Sequence, residues 1–442
     1  MFTRKIYNNL LDWKKKSQGK TALLIEGARR VGKSTTVEEF ARNEYESYIL
    51  IDFAFAPEVV KSLFKDLTDL DFFFLQLQLY YHVNLSERNS IIIFDEVQFF
   101  PLARQAIKRL VADGRYDYIE TGSLISIKKN TKSILIPSEE KKITMHPMDF
   151  EEFLWALGDQ TTIPLLESTF SNKRALGDAQ NRNMMNKFRL YMLIGGMPQA
   201  VETYIEKNNF EPVDDIKRDI LQLYHDDFYR IDPSGKISAL FDAIPSELSK
   251  HSSRYQVSSI LPDQRVSTIS EQLSELIASK TVLAAYHAND PNVGLALNRD
   301  VEKFKLFLSD TGLMVTLMFQ DKAFTDNMIY KKLLADKLSV NLGVLFENIV
   351  AQSLAARGHK LFYYTFYNEI NKKNYEIDFL ITGNNKICPI EVKSSGYRVH
   401  TSLDKFSEKY AGRIANKLVI GTKDFQIEND ITYLPVYYTQ FL

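Results

Sequence analysis

The stretch that decides the fold at the N-terminus is Gly27-Ala28-Arg29-Arg30-Val31-Gly32-Lys33-Ser34. It follows an apolar run, Ala22-Leu23-Leu24-Ile25, and leads into Thr35-Thr36-Val37-Glu38-Glu39-Phe40-Ala41, which has the pattern of a helix. The stretch fits G-x-x-x-x-G-K-[ST] at every fixed position, in the strand–loop–helix context that this pattern requires. A chance glycine loop is the competing interpretation, but the complete motif favours a site for the phosphates of a nucleotide.

Each residue type in this loop has a physical role in holding phosphate. Gly27 and Gly32 permit a backbone whose N–H groups converge on an anion. Lys33 is expected to reach the outer phosphates and Ser34 to supply a hydroxyl to Mg²⁺, while the helix N-terminus adds a positive dipole end. We therefore predict that ATP is held through Gly27, Ala28, Arg29, Arg30, Val31, Gly32, Lys33, Ser34 and Thr35.

A second informative stretch is Ser90-Ile91-Ile92-Ile93-Phe94-Asp95-Glu96. Its continuous apolar run is typical of a parallel strand buried on both faces, and it ends in two carboxylates, where open α/β sheets bind ligands. In a P-loop enzyme Asp95 would hold Mg²⁺, through water or Ser34, and Glu96 would orient or deprotonate the attacking water. The competing interpretation is an acidic strand end that merely stays hydrated.

A further strand is predicted at 116–121, ending in Thr121-Gly122-Ser123. Polar residues at the end of a strand beside the Asp95 strand could sense the γ-phosphate. Alternatively, Ser123 simply caps the next helix. The residues alone do not separate these two interpretations.

The composition is that of a soluble globular protein of several domains, with 442 residues, 45% of them hydrophobic and 25% charged. The formal net charge of −1 means that any surface for nucleic acid must be a local patch. One cysteine, Cys388, excludes an internal disulfide and fits a reducing compartment. The N-terminus lacks a signal-peptide core, and the most apolar window, 72–83, is too short to span a membrane. We therefore expect a cytoplasmic protein without a membrane partner.

The middle of the chain leaves two questions open. A long helical segment is interrupted by Gly195-Gly196-Met197-Pro198, which is either a hinge near the nucleotide or an inert corner between helices. Short helices and a β-rich segment then suggest a winged helix-turn-helix. Its function is either DNA contact or packing. The positive charges available to it are Lys250, His251, Arg254, Arg265 and Lys280.

The C-terminal part has an unusual grouping of acidic residues. Glu347 lies on the apolar face of a helix predicted at 341–357, and such a carboxylate needs a cationic partner. Two strands, 375–381 and 387–393, flank turn residues that predict a hairpin. A turn centred on Asn384-Asn385 places Asp378 opposite Glu391 and Glu376 opposite Lys393.

Directly opposed carboxylates destabilise a sheet unless a cation lies between them. Mg²⁺ or Mn²⁺ would satisfy this need, so we predict Glu347, Asp378 and Glu391 as metal ligands. Lys393 would stabilise charge on the reacting phosphate or help orient water, which makes Asp378, Glu391 and Lys393 the candidate catalytic residues. An exposed strand face with compensating charges is the competing interpretation.

This arrangement resembles the PD-(D/E)xK restriction-endonuclease-like superfamily. Asp378 matches its first acid, Glu391-Val392-Lys393 its E-x-K and Glu347 its helical acid, although Ile377 stands where a proline is usual. The whole chain resembles prokaryotic AAA-type ATPases followed by a domain of uncharacterised function with an endonuclease-like C-terminus. That resemblance rests on residues 27–34, 94–96, 121–123, 306–313, 375–379 and 390–394.

The resemblance implies that Thr121 or Ser123 senses phosphate. It also implies a relation to STAND-type regulatory ATPases, in which a Gly-x-Pro element like Gly196-Met197-Pro198 and a winged helix follow the core. AAA-type relatives often assemble, so a homo-oligomer is a further expectation.

We therefore predict an α/β chain: a P-loop ATPase domain with a parallel sheet (1–206), a helical and winged-helix domain (207–325) and a nuclease-like α/β domain (326–442). One function is ATP hydrolysis, with Lys33 and Glu96 as catalytic residues, coupled to Mg²⁺-dependent cleavage of nucleic acid, with DNA favoured. The alternative is a regulatory switch whose nuclease-like domain only binds DNA or a protein partner. A small-molecule kinase is a third possibility, which the Asp95-Glu96 pair disfavours because it suits water as acceptor.

Overall fold

The structure is a computed structural model and describes residues 1–122, 135–250, 252–320, 330–331, 334, 342–369, 372–383 and 385–442. Two compact units are present in it. The first comprises residues 1–146 with 278–280, and the second comprises residues 147–277 with 281–442.

The first unit is built on a parallel sheet. Its strands are β1 (Ala22–Glu26), β2 (Ser47–Asp52), β3 (Ser90–Asp95), β4 (Asp117–Gly122) and β5 (Glu140–Thr144). They lie in the order β2-β3-β4-β1-β5, and each neighbouring pair is parallel. The carboxyl ends of all five strands therefore meet at one edge, where the phosphate loop follows β1 and Glu96 follows β3.

The helices of this unit are α1 (Ile6–Ser17), α2 (Lys33–Glu44), α3 (Glu58–Leu63), α4 (Leu70–Tyr81) and α5 (Pro101–Asp113). Every residue of β1, β3 and β4 is buried, which explains why β1 and β3 read as near-continuous apolar runs. One face of the sheet packs with α4 and α5 around a core that includes Phe53, Phe73 and Phe94. This core holds in place the carboxyl ends of the strands, where the phosphate loop and the polar residues beside it lie.

The second unit contains helices α6 (Phe150–Ala156), α7 (Thr162–Ser171), α8 (Asp178–Ile194), α9 (Pro198–Lys207), α10 (Phe210–Ile231), α11 (Lys236–Asp242), α12 (Ile244–Ser249), α13 (Ser270–Ala278), α14 (Thr311–Met318), α15 (Leu342–Ala356) and α16 (Thr401–Tyr410). Its strands are β6 (Val282–Ala288), β7 (Arg299–Leu308), β8 (Phe362–Asn368), β9 (Lys373–Gly383), β10 (Lys386–Val392), β11 (Lys417–Gly421), β12 (Gln426–Glu428) and β13 (Ile431–Pro435). These form one mixed sheet in the order β12-β13-β11-β10-β9-β8-β6-β7.

The region that the sequence predicts as a winged helix contributes two strands to the C-terminal sheet. Its strands β6 and β7 form an antiparallel pair, and β6 pairs in parallel with β8, so both belong to the same sheet as the C-terminal strands. The predicted limit at 206/207 lies within the second unit, and the predicted limit at 325/326 lies outside the described residues. The sequence could not reveal that β6 and β7 belong to the C-terminal sheet, because the pairing of β6 with β8 joins segments about 75 residues apart in the chain.

The corner between α8 and α9 is tightly packed. Gly195 has a φ of +85°, in the region that favours glycine. The amide of Gly196 donates to Asp310 Oδ2 at 2.6 Å, and Asp310 also caps α14 by accepting from Leu313 N at 2.8 Å. A Cβ atom on Gly312 would lie 2.5 Å from Gly195 Cα. The glycine-proline interruption is therefore a packed corner held to the first turn of α14.

The fold class is confirmed as mixed α/β, with a parallel sheet at the N-terminus and an α/β region at the C-terminus. None of the helices in the described part of the chain has the length and hydrophobicity needed to cross a bilayer.

Candidate functional site

The phosphate loop lies between β1 and α2, as the motif predicts. Lys33 begins α2, and its buried ammonium donates to the carbonyl oxygens of Gly27 at 3.1 Å and Ala28 at 3.0 Å. Gly32 has a φ of +95°, and a Cβ atom on Gly27 would lie 2.3 Å from the carbonyl oxygen of Met145. Both glycines are therefore required by the path of the backbone. The loop curls around the point where an anion would bind at the start of a helix.

Arg4 supports the loop from the N-terminal segment. Its guanidinium donates to the carbonyl oxygen of Val31 at 2.7 Å and to that of His146 at 2.7 Å. The side chain is buried, so these charge-assisted bonds hold the loop in one conformation. Sequence reasoning missed this residue, since a single arginine before an amphipathic helix carries no distinguishing pattern.

Asp95 is the centre of a hydroxyl–carboxylate cluster at the loop edge. Ser34 Oγ donates to Asp95 Oδ1 at 2.9 Å, and Thr121 Oγ1 donates to the same oxygen. The three residues meet because β4 lies between β1 and β3 in the sheet. The structure thus brings together Ser34, Asp95 and Thr121. The other predicted phosphate sensor, Ser123, lies outside the described residues.

Glu96 is held next to this cluster in an uncommon backbone conformation, with a φ of +52°. Burial raises the pKa of Glu96, while Lys33 and a hydrogen bond from Gln98 act in the opposite direction. A carboxylate with a raised pKa at a ligand site suits proton transfer. Gln98 was not predicted, although it follows Glu96 by two residues and could have been considered as an orienting partner.

These residues fit ATP with Mg²⁺ by their chemistry. Ser34 and Asp95 supply the oxygen atoms that Mg²⁺ prefers. The backbone of the glycine-containing loop and the N-terminus of α2 supply N–H groups for phosphate. Lys33 supplies a cation within the loop.

In the second unit, the hairpin of β9 and β10 has the predicted register. Ile390 lies opposite Phe379, and the preceding pairs follow the same register. The ladder ends there, and Asp378 Oδ2 accepts a hydrogen bond from the amide of Val392 at 2.7 Å. On its other edge, β10 pairs with β11 from Ile390 to Val392. Asp378 therefore bonds to the backbone beyond Glu391.

Glu391 and Lys393 form an ion pair, with 2.7 Å between Oε1 and Nζ. The other oxygen of Glu391 accepts from the amide of Leu403 in the first turn of α16 at 3.2 Å. The E-x-K pair is thereby fixed to both its own strand and the following helix.

The hairpin prediction placed Glu376 opposite Lys393, but Glu376 has other partners in the structure. Glu376 lies opposite Thr365 on β8 and forms an ion pair with Lys305 of β7. Lys305 is buried, and although burial opposes it, Glu376, Glu347 and Asp378 together raise its pKa. Sequence reasoning missed Lys305 because it lies in a strand 71 residues from Glu376.

The acidic cluster (Glu347, Glu376, Asp378 and Glu391) is crowded. Burial raises the pKa of Glu347 to about 8 and that of Asp378 to about 6, and neighbouring carboxylates add to both shifts. Four carboxylates face two lysines, Lys305 and Lys393, so the fully ionised cluster carries two unbalanced negative charges. Its oxygen donors and charge suit a hard divalent cation.

The cluster is not a preformed metal cage. Among the described residues, no group of three or more His, Cys, Asp or Glu side chains is arranged to hold a metal ion. Lys393 and Leu403 engage the carboxylate of Glu391, and Val392 engages one oxygen of Asp378. Metal binding by Glu347, Asp378 and Glu391 stays a prediction.

Comparison with known protein families supports the prediction made for the phosphate loop. Residues 19–154 match the family model of an AAA domain, so the chain carries an AAA-type P-loop ATPase domain, as predicted. Two further stretches match families described as domains of unknown function, DUF8612 at residues 185–323 and DUF4143 at residues 342–439.

Individual relatives are distant. An uncharacterised protein of Methanocaldococcus jannaschii, MJ1544, is 23% identical over 388 residues, which cover 82% of this chain and 72% of the relative. The Walker-type ATPase PABY2304 of Pyrococcus abyssi is 14% identical, covers 72% of this chain and 96% of its own, and has a TM-score of 0.42. PCH-2 of C. elegans is 12% identical, covers 46% of this chain and 62% of its own, and has a TM-score of 0.27. At these TM-scores neither solved structure bears on function.

Proposed function

We propose that this protein binds ATP with Mg²⁺ at the phosphate loop and hydrolyses it. The observation that supports this proposal is the convergence of Ser34 and Thr121 on Asp95, beside Lys33 at the start of α2. These are the groups needed to hold a metal–phosphate complex and to neutralise charge during phosphoryl transfer.

The chain's own residues have separable roles in this reaction. Lys33 and the amides at the start of α2 bind the phosphates, and Ser34 and Asp95 hold the metal. When bound, Mg²⁺ neutralises phosphate charge. Glu96 accepts a hydrogen bond from the attacking water and takes its proton, while the side-chain amide of Gln98 orients the Glu96 carboxylate.

Replacing Glu96 by glutamine tests the hydrolytic role. We expect ATP hydrolysis to fall about 10²-fold or more, because the amide cannot accept the proton, while ATP binding is retained. Phosphate release and binding of a fluorescent ATP analogue measure the two properties. The exposed Glu87→Gln variant is the matched control and should hydrolyse ATP at the normal rate. Normal turnover in Glu96→Gln would contradict the assignment.

We further propose that the C-terminal acidic cluster cleaves phosphodiesters of nucleic acid with Mg²⁺ or Mn²⁺, under control of the nucleotide bound by the ATPase domain. The supporting observation is that Asp378, Glu391 and Lys393 lie in one cluster with Glu347, in which four carboxylates face two lysines. Glu347, Asp378 and Glu391 would hold the cation, and Lys393 would stabilise charge on the reacting phosphate.

A specific observation favours the alternative, a STAND-like switch whose C-terminal domain only binds DNA or a protein partner. Lys393 and the amides of Val392 and Leu403 already satisfy Glu391 and Asp378. A winged-helix role for the middle region and homo-oligomerisation belong to this alternative as well. Cleavage and binding are therefore tested separately.

The Asp378→Asn variant tests cleavage. Asparagine keeps an acceptor for the amide of Val392 but loses the charge, so we expect nicking of supercoiled DNA with Mn²⁺ to fall at least about 10²-fold. Gel electrophoresis in the presence and absence of ATP measures the conversion. The exposed Asp430→Asn variant is the control and should nick normally. If the wild-type protein leaves DNA intact in every nucleotide condition, the cleavage proposal is wrong and the binding alternative replaces it.

A further inference from the structure

We propose that a cavity next to the acidic cluster is a subsite for one phosphodiester of a nucleic-acid strand, with Arg254 as its principal contact. This inference rests on the proposed action of the C-terminal cluster on nucleic acid. The cavity is small and partly open to solvent, and the polar residues that line it are Glu247, Ser252, Arg254, Tyr255 and Lys305.

The segment that carries Arg254 is fixed in place on the sheet. The amide of Tyr255 donates to the carbonyl oxygen of Phe304 on β7 at 2.7 Å, and the two rings stack with centroids 5.7 Å apart. The hydroxyl of Tyr363 on β8 donates to the carbonyl oxygen of Ser253 at 2.8 Å. Arg254 is therefore presented from an anchored backbone, which lowers the entropy cost of binding a ligand.

Charges around the cavity leave Arg254 as the available cation. Lys305 is paired with Glu376. Glu247 is bonded to Lys250, to the hydroxyl of Ser259 at 2.7 Å and to the amide of Gln256 at 2.8 Å. The guanidinium of Arg254, by contrast, makes no hydrogen bond or ion pair with another described residue, and its side chain is exposed. Among the described lining residues and their ion-pair partners, one positive charge is therefore in excess, that of Arg254, and it matches the single negative charge of a phosphodiester.

Lys305 connects this cavity to the acidic cluster. It lines the cavity and also pairs with Glu376, close enough to Glu347 and Asp378 for both to raise its pKa. A strand with one phosphate at the acidic cluster can therefore place another phosphate at Arg254. The planar guanidinium suits two oxygens of one phosphate, and the hydroxyl of Ser252 supports this segment by donating to the carbonyl oxygen of Arg254 at 2.8 Å.

Binding of fluorescein-labelled single-stranded DNA to the full-length protein tests this subsite. EDTA is present, so that binding is measured without cleavage. We expect Arg254→Ala to weaken binding roughly fivefold to tenfold and to reduce the slope of log Kd against log salt by about 0.7, the value for one lost phosphate contact on a single strand. Arg254→Lys should recover part of the affinity. Arg174→Ala removes an exposed arginine outside the cavity lining and should change neither quantity to this extent.

The outcomes separate this inference from the proposed cleavage. Equal binding by wild type and Arg254→Ala, or an equal loss in Arg174→Ala, would overturn the subsite, as would wild-type protein that binds poly-glutamate in preference to DNA. Wild-type protein that nicks DNA with Mn²⁺ but does not bind the oligonucleotide would overturn the subsite alone. Selective loss in Arg254→Ala without any nicking by wild type would support the subsite and reject cleavage.

Discussion

Replacing Lys33 by alanine is expected to reduce ATP hydrolysis by about 10²–10³-fold or more, the cost of removing one preorganised donor from a transition state. The ammonium of Lys33 is the cation at the centre of the loop, within hydrogen-bonding distance of the carbonyl oxygens of Gly27 and Ala28. In phosphoryl transfer this charge stabilises the outer phosphates, where negative charge develops. Steady-state phosphate release by the purified full-length protein measures the loss.

Affinity should also fall, since the same charge binds the phosphates before the reaction. Comparison with Glu96→Gln is informative, because that variant is expected to retain binding whereas Lys33→Ala should lose part of it. Lys20→Ala removes an exposed lysine just before β1 and serves as the control, with normal turnover expected. Thermal unfolding verifies that each variant is folded. Normal ATP turnover by folded Lys33→Ala would contradict the assignment of the phosphate loop.

The second large effect is expected on stability rather than on catalysis. Lys217 of α10 is fully buried. Its ammonium donates to the carbonyl oxygens of Leu193 at 2.9 Å and Gly312 at 3.2 Å and to the hydroxyl of Tyr330 at 2.8 Å. The same tyrosine donates to Asp214 at 2.7 Å. Lys217→Met should therefore lower the free energy of unfolding by about 3–5 kcal/mol, because it leaves buried carbonyl and hydroxyl oxygens without their donor and leaves Asp214 with Arg218 as its cationic partner.

The pH dependence supplies an independent signature of this lysine. Burial lowers the pKa of Lys217 to about 8, below its value in an unfolded chain. Between pH 8 and about 10.5 the unfolded chain therefore binds more protons than the folded protein, and the free energy of unfolding should rise with pH. Lys217→Met should lack this rise.

Urea-induced unfolding at several pH values measures both quantities. Lys207→Met, at the exposed end of α9, is the control and should shift stability by less than about 0.5 kcal/mol. The double variant Lys217→Met/Asp214→Asn should lose less than the sum of the single changes, because Lys217 and Asp214 both bond to the hydroxyl of Tyr330 and so act together. Additive losses would show that the two residues do not act as a pair.

Local features of both sites were predictable from sequence. The phosphate loop was predictable because its glycines, Lys33 and Ser34 lie within one short stretch, and their spacing dictates a strand–loop–helix path. The hairpin register was also predictable, because the turn predicted at Asn384-Asn385 and the period-2 alternation together determine which residues face each other. The Ile390–Phe379 pair follows that register. Glu347 could be assigned to the acidic cluster because it interrupts an apolar helical face.

What only the tertiary structure decided depends on contacts between distant segments. The insertion of β4 between β1 and β3 brings Thr121 to Asp95. The joining of β6 and β7 to the C-terminal sheet brings Lys305 to Glu376, in place of the expected Lys393. Arg254 stands beside Lys305 because Tyr255 bonds to β7. Strand order and such long-range pairings are determined by packing of the whole core, so residue spacing within a single segment carries no record of them.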